Sequence, residues 1–130
     1  LEDNRIPDEN KFLMNETELL TKNNKKLNLV FAFNYGSRKE IHDAYTKLNK
    51  NSIDQLDEES FRANLLLPEM PDPDLLIRTA GEKRVSNFLL YQLSYTELMF
   101  VDTLWPDFDE KELDSAVDEF QNRVRKYGNA

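Results

Sequence analysis

Residues 74–104 read DLLIRTAGEKRVSNFLLYQLSYTELMFVDTL, and this stretch decides the fold class. It contains two short apolar runs, DLLIRT at 74–79 and LMFVDTL at 98–104, whose length and bounding turn signals are typical of buried strands. Between the runs, Ser86 or Asn87 can cap a helix. The apolar residues of that predicted helix are Phe88, Leu89 and Leu93. A strand, a helix and a strand in this order predict a right-handed crossover within a parallel sheet.

A third apolar run lies upstream of this stretch. Residues 27–35, LNLVFAFNY, form a nearly continuous run of apolar and aromatic side chains, which predicts a strand buried on both faces. Gly36 ends the run, and Ser37 with Glu40 forms a capping-box pattern that predicts the start of a helix. About three strands make a small sheet with exposed edges, so further strands must come from a missing part or from another chain.

Three further helices complete the predicted order of elements. They cover about 8–23, about 57–64 and a last segment that starts at Asp109 with Glu112 in its first turn. The apolar residues at helical spacing in the last helix are Leu113, Ala116, Val117, Phe120, Val124 and Tyr127. Because the predicted strands alternate with helices, we expect an α/β fold in which a parallel sheet is flanked by helices.

The composition narrows the classes of partner. The chain has 130 residues, a net charge of −8 and no cysteine. An acidic chain lacks the basic stripe that nucleic acid binding requires, so we expect no nucleic acid partner. The lack of cysteine excludes disulfides and thiolate zinc sites. No apolar run is long enough to span a bilayer and no signal peptide is visible, so we expect a cytoplasmic protein.

Two arginines and a serine are the candidate anion-binding residues. Arg78 ends a predicted strand, at the edge where open α/β sheets bind ligands. Arg84 and Ser86 precede a predicted helix, whose N-terminus offers free N–H groups to an anion. Because a guanidinium group pairs with phosphate oxygens through two hydrogen bonds, this set suits a diphosphate. The alternative is that both arginines lie on the surface and pair with Glu82 and neighbouring acids.

Three other polar residues are candidates with open alternatives. Glu97 is either a Mg²⁺ ligand, since Mg²⁺ often uses one or two carboxylates plus substrate phosphates, or a helix-terminal acid paired with an arginine. Asn34 and Arg38 lie where the predicted strand at 27–35 ends, so they would share the sheet edge with Arg78. The alternative for Asn34 and Arg38 is local turn chemistry.

The segment IRTAGEKRVSNFLLYQLSYTELMFVDTLWPDF resembles the C-terminal signature of cis-prenyltransferases, the family typified by undecaprenyl diphosphate synthase. The segment LNLVFAFNYGSRKEI is similar to their strand–loop–helix segment, and the likeness covers nearly the whole chain from about Thr21 onward. The resemblance implies an undecaprenyl diphosphate synthase-like fold, here incomplete. It also implies that residues 1–130 are the C-terminal part of a single domain whose N-terminal part is absent.

The resemblance further implies a reaction. These enzymes use Mg²⁺ to condense isopentenyl diphosphate with an allylic diphosphate, usually farnesyl diphosphate, and build a long polyprenyl diphosphate such as undecaprenyl diphosphate. By this match, Arg78, Arg84 and Ser86 are the catalytic residues that hold isopentenyl diphosphate, and Glu97 helps bind Mg²⁺. The family also implies a homodimer and transient association of the product with the inner face of a membrane.

The chain departs from the family pattern in three ways. The N-terminal motif with the catalytic aspartate and the allylic diphosphate loop is absent, so we expect this chain alone to be inactive. Ser37 stands where the family usually has a second glycine, and the connection at 48–56 is shorter than usual. Two other hypotheses stay open: a non-catalytic partner subunit that serves as a scaffold in a cis-prenyltransferase complex, and a generic anion-binding α/β module.

Overall fold

The structure is a computed structural model that describes residues 6–50 and 57–124. The chain divides into two units, one ending at Phe33 and the other beginning at Asn34. The elements in chain order are α1 (Asp8–Thr21), α2 (Ser37–Lys50), α3 (Glu58–Arg62), β1 (Leu75–Arg78), β2 (Glu97–Phe100), a 3-10 turn (Trp105–Asp107) and α4 (Glu110–Asn122).

The two strands of the second unit form a parallel sheet. Leu75 pairs with Glu97 at one end of the register, and Arg78 pairs with Phe100 at the other. The Val101 N–H continues the ladder with a 2.9 Å hydrogen bond to the Arg78 carbonyl oxygen. The strands predicted at 74–79 and 98–104 are therefore confirmed as a parallel pair, with shifted ends: the second strand begins at Glu97 and ends at Phe100 rather than at 104.

The prediction of a third strand at 27–35 is wrong. The described residues have no strand in this run, and residues 27–34 are exposed. A strand needs a neighbour to satisfy its backbone N–H and C=O groups. The Phe33 N–H instead donates to the Phe31 carbonyl oxygen at 3.1 Å, a bond within the run. The described sheet thus has two strands rather than three.

The helix predicted after Ser86 or Asn87 is also absent. The described residues 80–96 form a series of turns between the two strands. Ser86, Asn87 and Leu89 have φ values of 46°, 63° and 46°, in the left-handed region that a right-handed helix does not use. The connection between the strands is therefore a folded loop, and no helix N-terminus follows Ser86.

Helix α2 begins at the predicted position but not through the predicted capping box. Ser37 is its first residue, and the Ser37 hydroxyl accepts a 3.0 Å hydrogen bond from the Leu90 N–H. Glu40 is buried and accepts hydrogen bonds from other segments, so its side chain does not cap α2. The start predicted for the last helix is confirmed, since the Asp109 carboxylate accepts from the Glu112 N–H at 3.0 Å.

The other predicted helices are present, with shifted ends. α1 lies within the predicted 8–23, and α3 lies within the predicted 57–64. No helix in the described ranges is both long and apolar enough to cross a membrane. The buried apolar residues of the second unit are Ala44, Leu48, Leu65, Met99 and Ala116. Most of the short connection at 48–56, and Tyr127 of the predicted last helix, lie outside the described residues.

Candidate functional site

Arg78 is held at the C-terminal end of β1 by contacts with the loop that follows. Its guanidinium donates a 2.8 Å hydrogen bond to the Ser86 hydroxyl and a second hydrogen bond to the Arg84 carbonyl oxygen. The structure thus brings together two of the predicted site residues that are eight positions apart. A guanidinium beside a hydroxyl at this edge offers several donors to one anion.

The Arg84 side chain takes a different partner. Its guanidinium forms an ion pair with the Glu82 carboxylate, and the two side chains are 61% and 41% exposed. This is the alternative that the sequence left open for Arg84. An exposed pair of this kind contributes only about 0.2–1 kcal/mol, so an anion of higher charge can compete with Glu82 for the guanidinium.

The loop of residues 80–90, called the 80–90 loop below, is anchored at its start to the chain that follows β2. The Ala80 N–H donates to the Thr103 carbonyl oxygen at 2.8 Å, and the Gly81 N–H donates to the Val101 carbonyl oxygen at 2.9 Å. Ala80 and Gly81 both have positive φ, 66° and 68°. These bonds set the position from which the loop leaves the sheet edge beside Arg78.

The N-terminus of α2 anchors the other end of the 80–90 loop. The Ser37 N–H donates to the Asn87 carbonyl oxygen at 2.8 Å, and the Arg38 N–H donates to Asn87 Oδ1 at 2.9 Å. Asn34, with φ 50°, lies in the turn before α2. The Arg38 backbone therefore lies beside Asn87 at the start of a helix. The sequence had instead predicted that Arg38 lies at the end of a strand, on the same sheet edge as Arg78.

Glu40 is a buried acid that sequence reasoning assigned to capping. It is 6% exposed and accepts hydrogen bonds from the Tyr35 hydroxyl at 2.5 Å, the Leu66 N–H at 3.1 Å and the Gln92 amide at 3.2 Å. Burial, and then the hydrogen bond to Glu40, raises the pKa of Tyr35 to about 12. The sequence carried a signal of this burial, because Glu40 stands at four-residue spacing before Ala44 and Leu48, which are also buried.

Glu97 lies at the other end of the sheet from Arg78. It is the first residue of β2 and pairs with Leu75. Leu75 is three residues before Arg78, which corresponds to about 10 Å along the strand at a rise of roughly 3.3 Å per residue.

Arg123 is the partner of the Glu97 side chain. It donates to the Glu97 carboxylate at 2.9 Å and to the Leu98 carbonyl oxygen at 3.2 Å. Hydrogen bonds to Glu119, and then to Glu97, raise the pKa of Arg123. The structure thus gives Glu97 an arginine partner and does not bring it to the anion-binding residues.

The residues that the structure describes do not assemble a magnesium site by themselves. Within 6–50 and 57–124, no three side chains of the His, Cys, Asp or Glu type converge on a point where a metal ion could sit. A single carboxylate supplies part of a Mg²⁺ coordination shell, and the remaining ligands must be waters, phosphates or other residues.

Comparison with known proteins identifies the family to which the chain belongs. A family model described as putative undecaprenyl diphosphate synthase matches residues 2–128. The chain is 46% identical over 129 residues to the farnesyl-diphosphate-specific ditrans,polycis-undecaprenyl-diphosphate synthase of Micrococcus luteus, with 95% of this chain and 52% of that protein covered.

Solved structures show the same fold. A probable undecaprenyl diphosphate synthase from Campylobacter jejuni superposes with a TM-score of 0.82 at 37% identity, with 96% of this chain and 59% of that chain covered. Lavandulyl diphosphate synthase from Lavandula x intermedia, in complex with dimethylallyl diphosphate, superposes with a TM-score of 0.91 at 34% identity, with 98% and 58% covered. The chain spans about half the length of the curated relatives that it matches. Because the family model covers nearly all 130 residues, the chain belongs to the prenyltransferase family that is described as putative undecaprenyl diphosphate synthase.

Proposed function

We propose that this chain is the C-terminal half of a cis-prenyltransferase. The longer protein would condense isopentenyl diphosphate with an allylic diphosphate such as farnesyl diphosphate and extend a polyprenyl diphosphate. Family membership supports this proposal, as do the half-length match and the farnesyl diphosphate specificity named for the Micrococcus luteus relative.

The observation that carries the proposal is the contact between Arg78 and Ser86. The guanidinium and the hydroxyl meet at 2.8 Å at the C-terminal end of a parallel strand, where α/β sheets bind ligands. We assign these two groups to the diphosphate of isopentenyl diphosphate. Arg84 joins them when its pair with Glu82 opens, because its carbonyl oxygen already contacts Arg78. The 80–90 loop then holds the diphosphate.

This assignment gives the binding residues a role in the chemistry. Condensation forms a carbon–carbon bond from the isopentenyl double bond to the allylic carbon, breaks the allylic carbon–oxygen bond and releases a proton from the isopentenyl unit. The isopentenyl diphosphate group itself is retained. Residues that bind this diphosphate therefore orient the double bond toward the allylic carbon. Their contribution to the rate comes from positioning the substrate.

Magnesium is the cofactor that we propose for the longer protein, where it would assist departure of the allylic diphosphate. Glu97 is the candidate ligand that the family match provides, and Arg123 occupies its carboxylate in this structure. Further ligands would come from substrate phosphates or from residues outside the described ranges. The homodimer, the cytoplasmic location and the transient membrane contact of the product belong to the same proposal and are supported by the family alone.

The experiment is steady-state kinetics of the longer protein with farnesyl diphosphate and Mg²⁺ and with isopentenyl diphosphate varied. Arg78→Ala and Arg84→Ala are expected to raise KM for isopentenyl diphosphate by about 10- to 100-fold, the effect of losing a charge-assisted hydrogen bond. Arg62→Ala is the matched control, because it removes a guanidinium paired with Asp72 and should leave that KM unchanged. An unchanged KM in both site variants would refute the assignment.

Experiments on the longer protein also test the two other hypotheses, the scaffold subunit and the generic anion-binding module. A longer protein that forms no product alone but raises the output of another cis-prenyltransferase chain would be the scaffold subunit. Calorimetric titration with inorganic diphosphate and with isopentenyl diphosphate tests the generic anion module, which predicts equal, weak binding of both. The 130-residue chain alone is expected to form no product.

A further inference from the structure

Asn87 makes a set of contacts that the proposed reaction does not account for. Its carbonyl oxygen accepts from the Ser37 N–H at 2.8 Å, and its side-chain Oδ1 accepts from the Arg38 N–H at 2.9 Å. These two N–H groups belong to the first turn of α2, where a helix has no acceptor of its own. Asn87 therefore caps a helix that begins 50 positions earlier in the chain.

A return contact strengthens this connection. The Leu90 N–H donates to the Ser37 hydroxyl at 3.0 Å, so the chain is tied to α2 at two points three residues apart. Gly36 lets the two segments approach closely, because a Cβ at Gly36 would lie 2.8 Å from Asn87 Nδ2. The 80–90 loop is thus attached to α2 immediately after Ser86.

Asparagine combines three properties that this position needs. Its φ is 63°, in the left-handed region that asparagine adopts more readily than most residues. Its side chain offers an oxygen acceptor to a helix N-terminus. It is also neutral, whereas aspartate, which shares the first two properties, would place a negative charge beside a bound diphosphate. Glycine would keep the backbone conformation and lose the acceptor.

We infer that Asn87 is a positioning residue of the anion site, which holds the Ser86 hydroxyl against Arg78 by capping the N-terminus of α2. This inference rests on the proposed function, because it assigns Ser86 to the diphosphate. Asn87 acts through its neighbour and does not itself touch the substrate. Ser86 has φ 46°, so its backbone is strained for a serine and needs a fixed neighbour to keep the hydroxyl in place.

The test is a double-mutant cycle on the longer protein, with isopentenyl diphosphate varied at saturating farnesyl diphosphate. Asn87→Gly and Ser86→Ala are each expected to raise KM by about tenfold or more, with kcat changed by less than about threefold. If Asn87 acts through Ser86, the double variant has a KM no higher than the larger single effect. Asn122→Ala is the control, because the Asn122 amide donates to the Asp118 carbonyl oxygen of its own helix.

The outcomes separate this inference from the function on which it rests. If Ser86→Ala leaves KM unchanged, the proposed anion site is refuted together with the role of Asn87. If Ser86→Ala raises KM but Asn87→Gly does not, or if the two effects multiply, the anion site stands and the positioning role is refuted.

Should Asn87→Gly fail to fold, Gly36→Ala replaces it, because the added Cβ must displace the Asn87 amide. The same rise in KM, again without a further effect in the Ser86→Ala background, is then expected, and multiplied effects would again refute the inference.

Discussion

The Tyr35 hydroxyl donates a 2.5 Å hydrogen bond to the Glu40 carboxylate in the first turn of α2. The same carboxylate accepts from the Leu66 N–H and the Gln92 amide, which lie 26 and 52 positions further along the chain. One buried acid therefore connects α2, the segment after α3 and the segment that follows the 80–90 loop. Its neighbours in the first turn, Ser37 and Arg38, contact Asn87.

Replacing the Glu40 carboxylate should destabilise the protein. Glu40→Leu leaves three donors without their acceptor, so we expect the free energy of unfolding to fall by about 2–3 kcal/mol. Urea unfolding measures the change. Glu69→Leu is the control at an exposed glutamate and should change stability by less than about 0.5 kcal/mol. Equal stability of the two variants would contradict the role assigned to Glu40.

Tyr35 should make stability depend on pH in the alkaline range. Its pKa is raised from 10.0 to about 12, first by burial and then by the hydrogen bond to Glu40. The unfolded chain loses the phenolic proton first, so the stabilisation is complete below pH 10 and is lost as the pH rises to about 12. Tyr35→Phe should remove this part of the decline in an unfolding series.

The same pKa can be measured directly. The chain has five tyrosines, so the ultraviolet titration of Tyr35 is the difference between the parent protein and Tyr35→Phe. In Glu40→Gln the pKa of Tyr35 should fall below that of the parent and stay above 10.0, because burial is the larger cause of the shift. A Tyr35 pKa that does not respond to Glu40→Gln would show that the hydrogen bond does not contribute.

The two residues that open the 80–90 loop should respond oppositely to exchange of alanine and glycine. Gly81 has φ 68°, and an added Cβ would lie 3.1 Å from Asp102 Oδ1, so Gly81→Ala should cost about 1–2 kcal/mol of stability. Ala80 has φ 66°, and Ala80→Gly should be neutral or stabilising by up to about 1 kcal/mol. Thermal unfolding compares the pair, and a loss of stability in Ala80→Gly would contradict the left-handed conformation at Ala80.

Glu97 and Arg123 form a pair that tests the metal assignment. If Glu97 is a Mg²⁺ ligand in the longer protein, Glu97→Gln should raise the Mg²⁺ concentration needed for half-maximal activity by at least about tenfold. Arg123→Gln removes the partner and keeps the carboxylate, so it should not raise that concentration. If both variants raise it equally, Glu97 serves as a structural partner of Arg123 and not as a ligand.

The elements predicted correctly are those whose signals lie close together in the chain. Asp109 and Glu112, whose N–H the Asp109 carboxylate accepts, are three residues apart, so the sequence alone could predict the start of α4. The short apolar runs at 74–79 and 98–104 predicted two strands, which the structure places at 75–78 and 97–100. By contrast, the run at 27–35 is also rich in apolar residues, but the described residues provide no strand with which it pairs. The composition of a run does not show whether such a partner strand exists.

By itself, the sequence determined the α/β class and the two short apolar runs that form strands, because those features depend on residues within a few positions of one another. The tertiary structure alone decided which distant donors bond to Glu40, that Glu97 pairs with Arg123 and that Asn87 caps α2. Each of these contacts joins residues between 26 and 52 positions apart. Hydrogen bonds between such distant residues depend on how the chain packs, and local sequence patterns do not encode them.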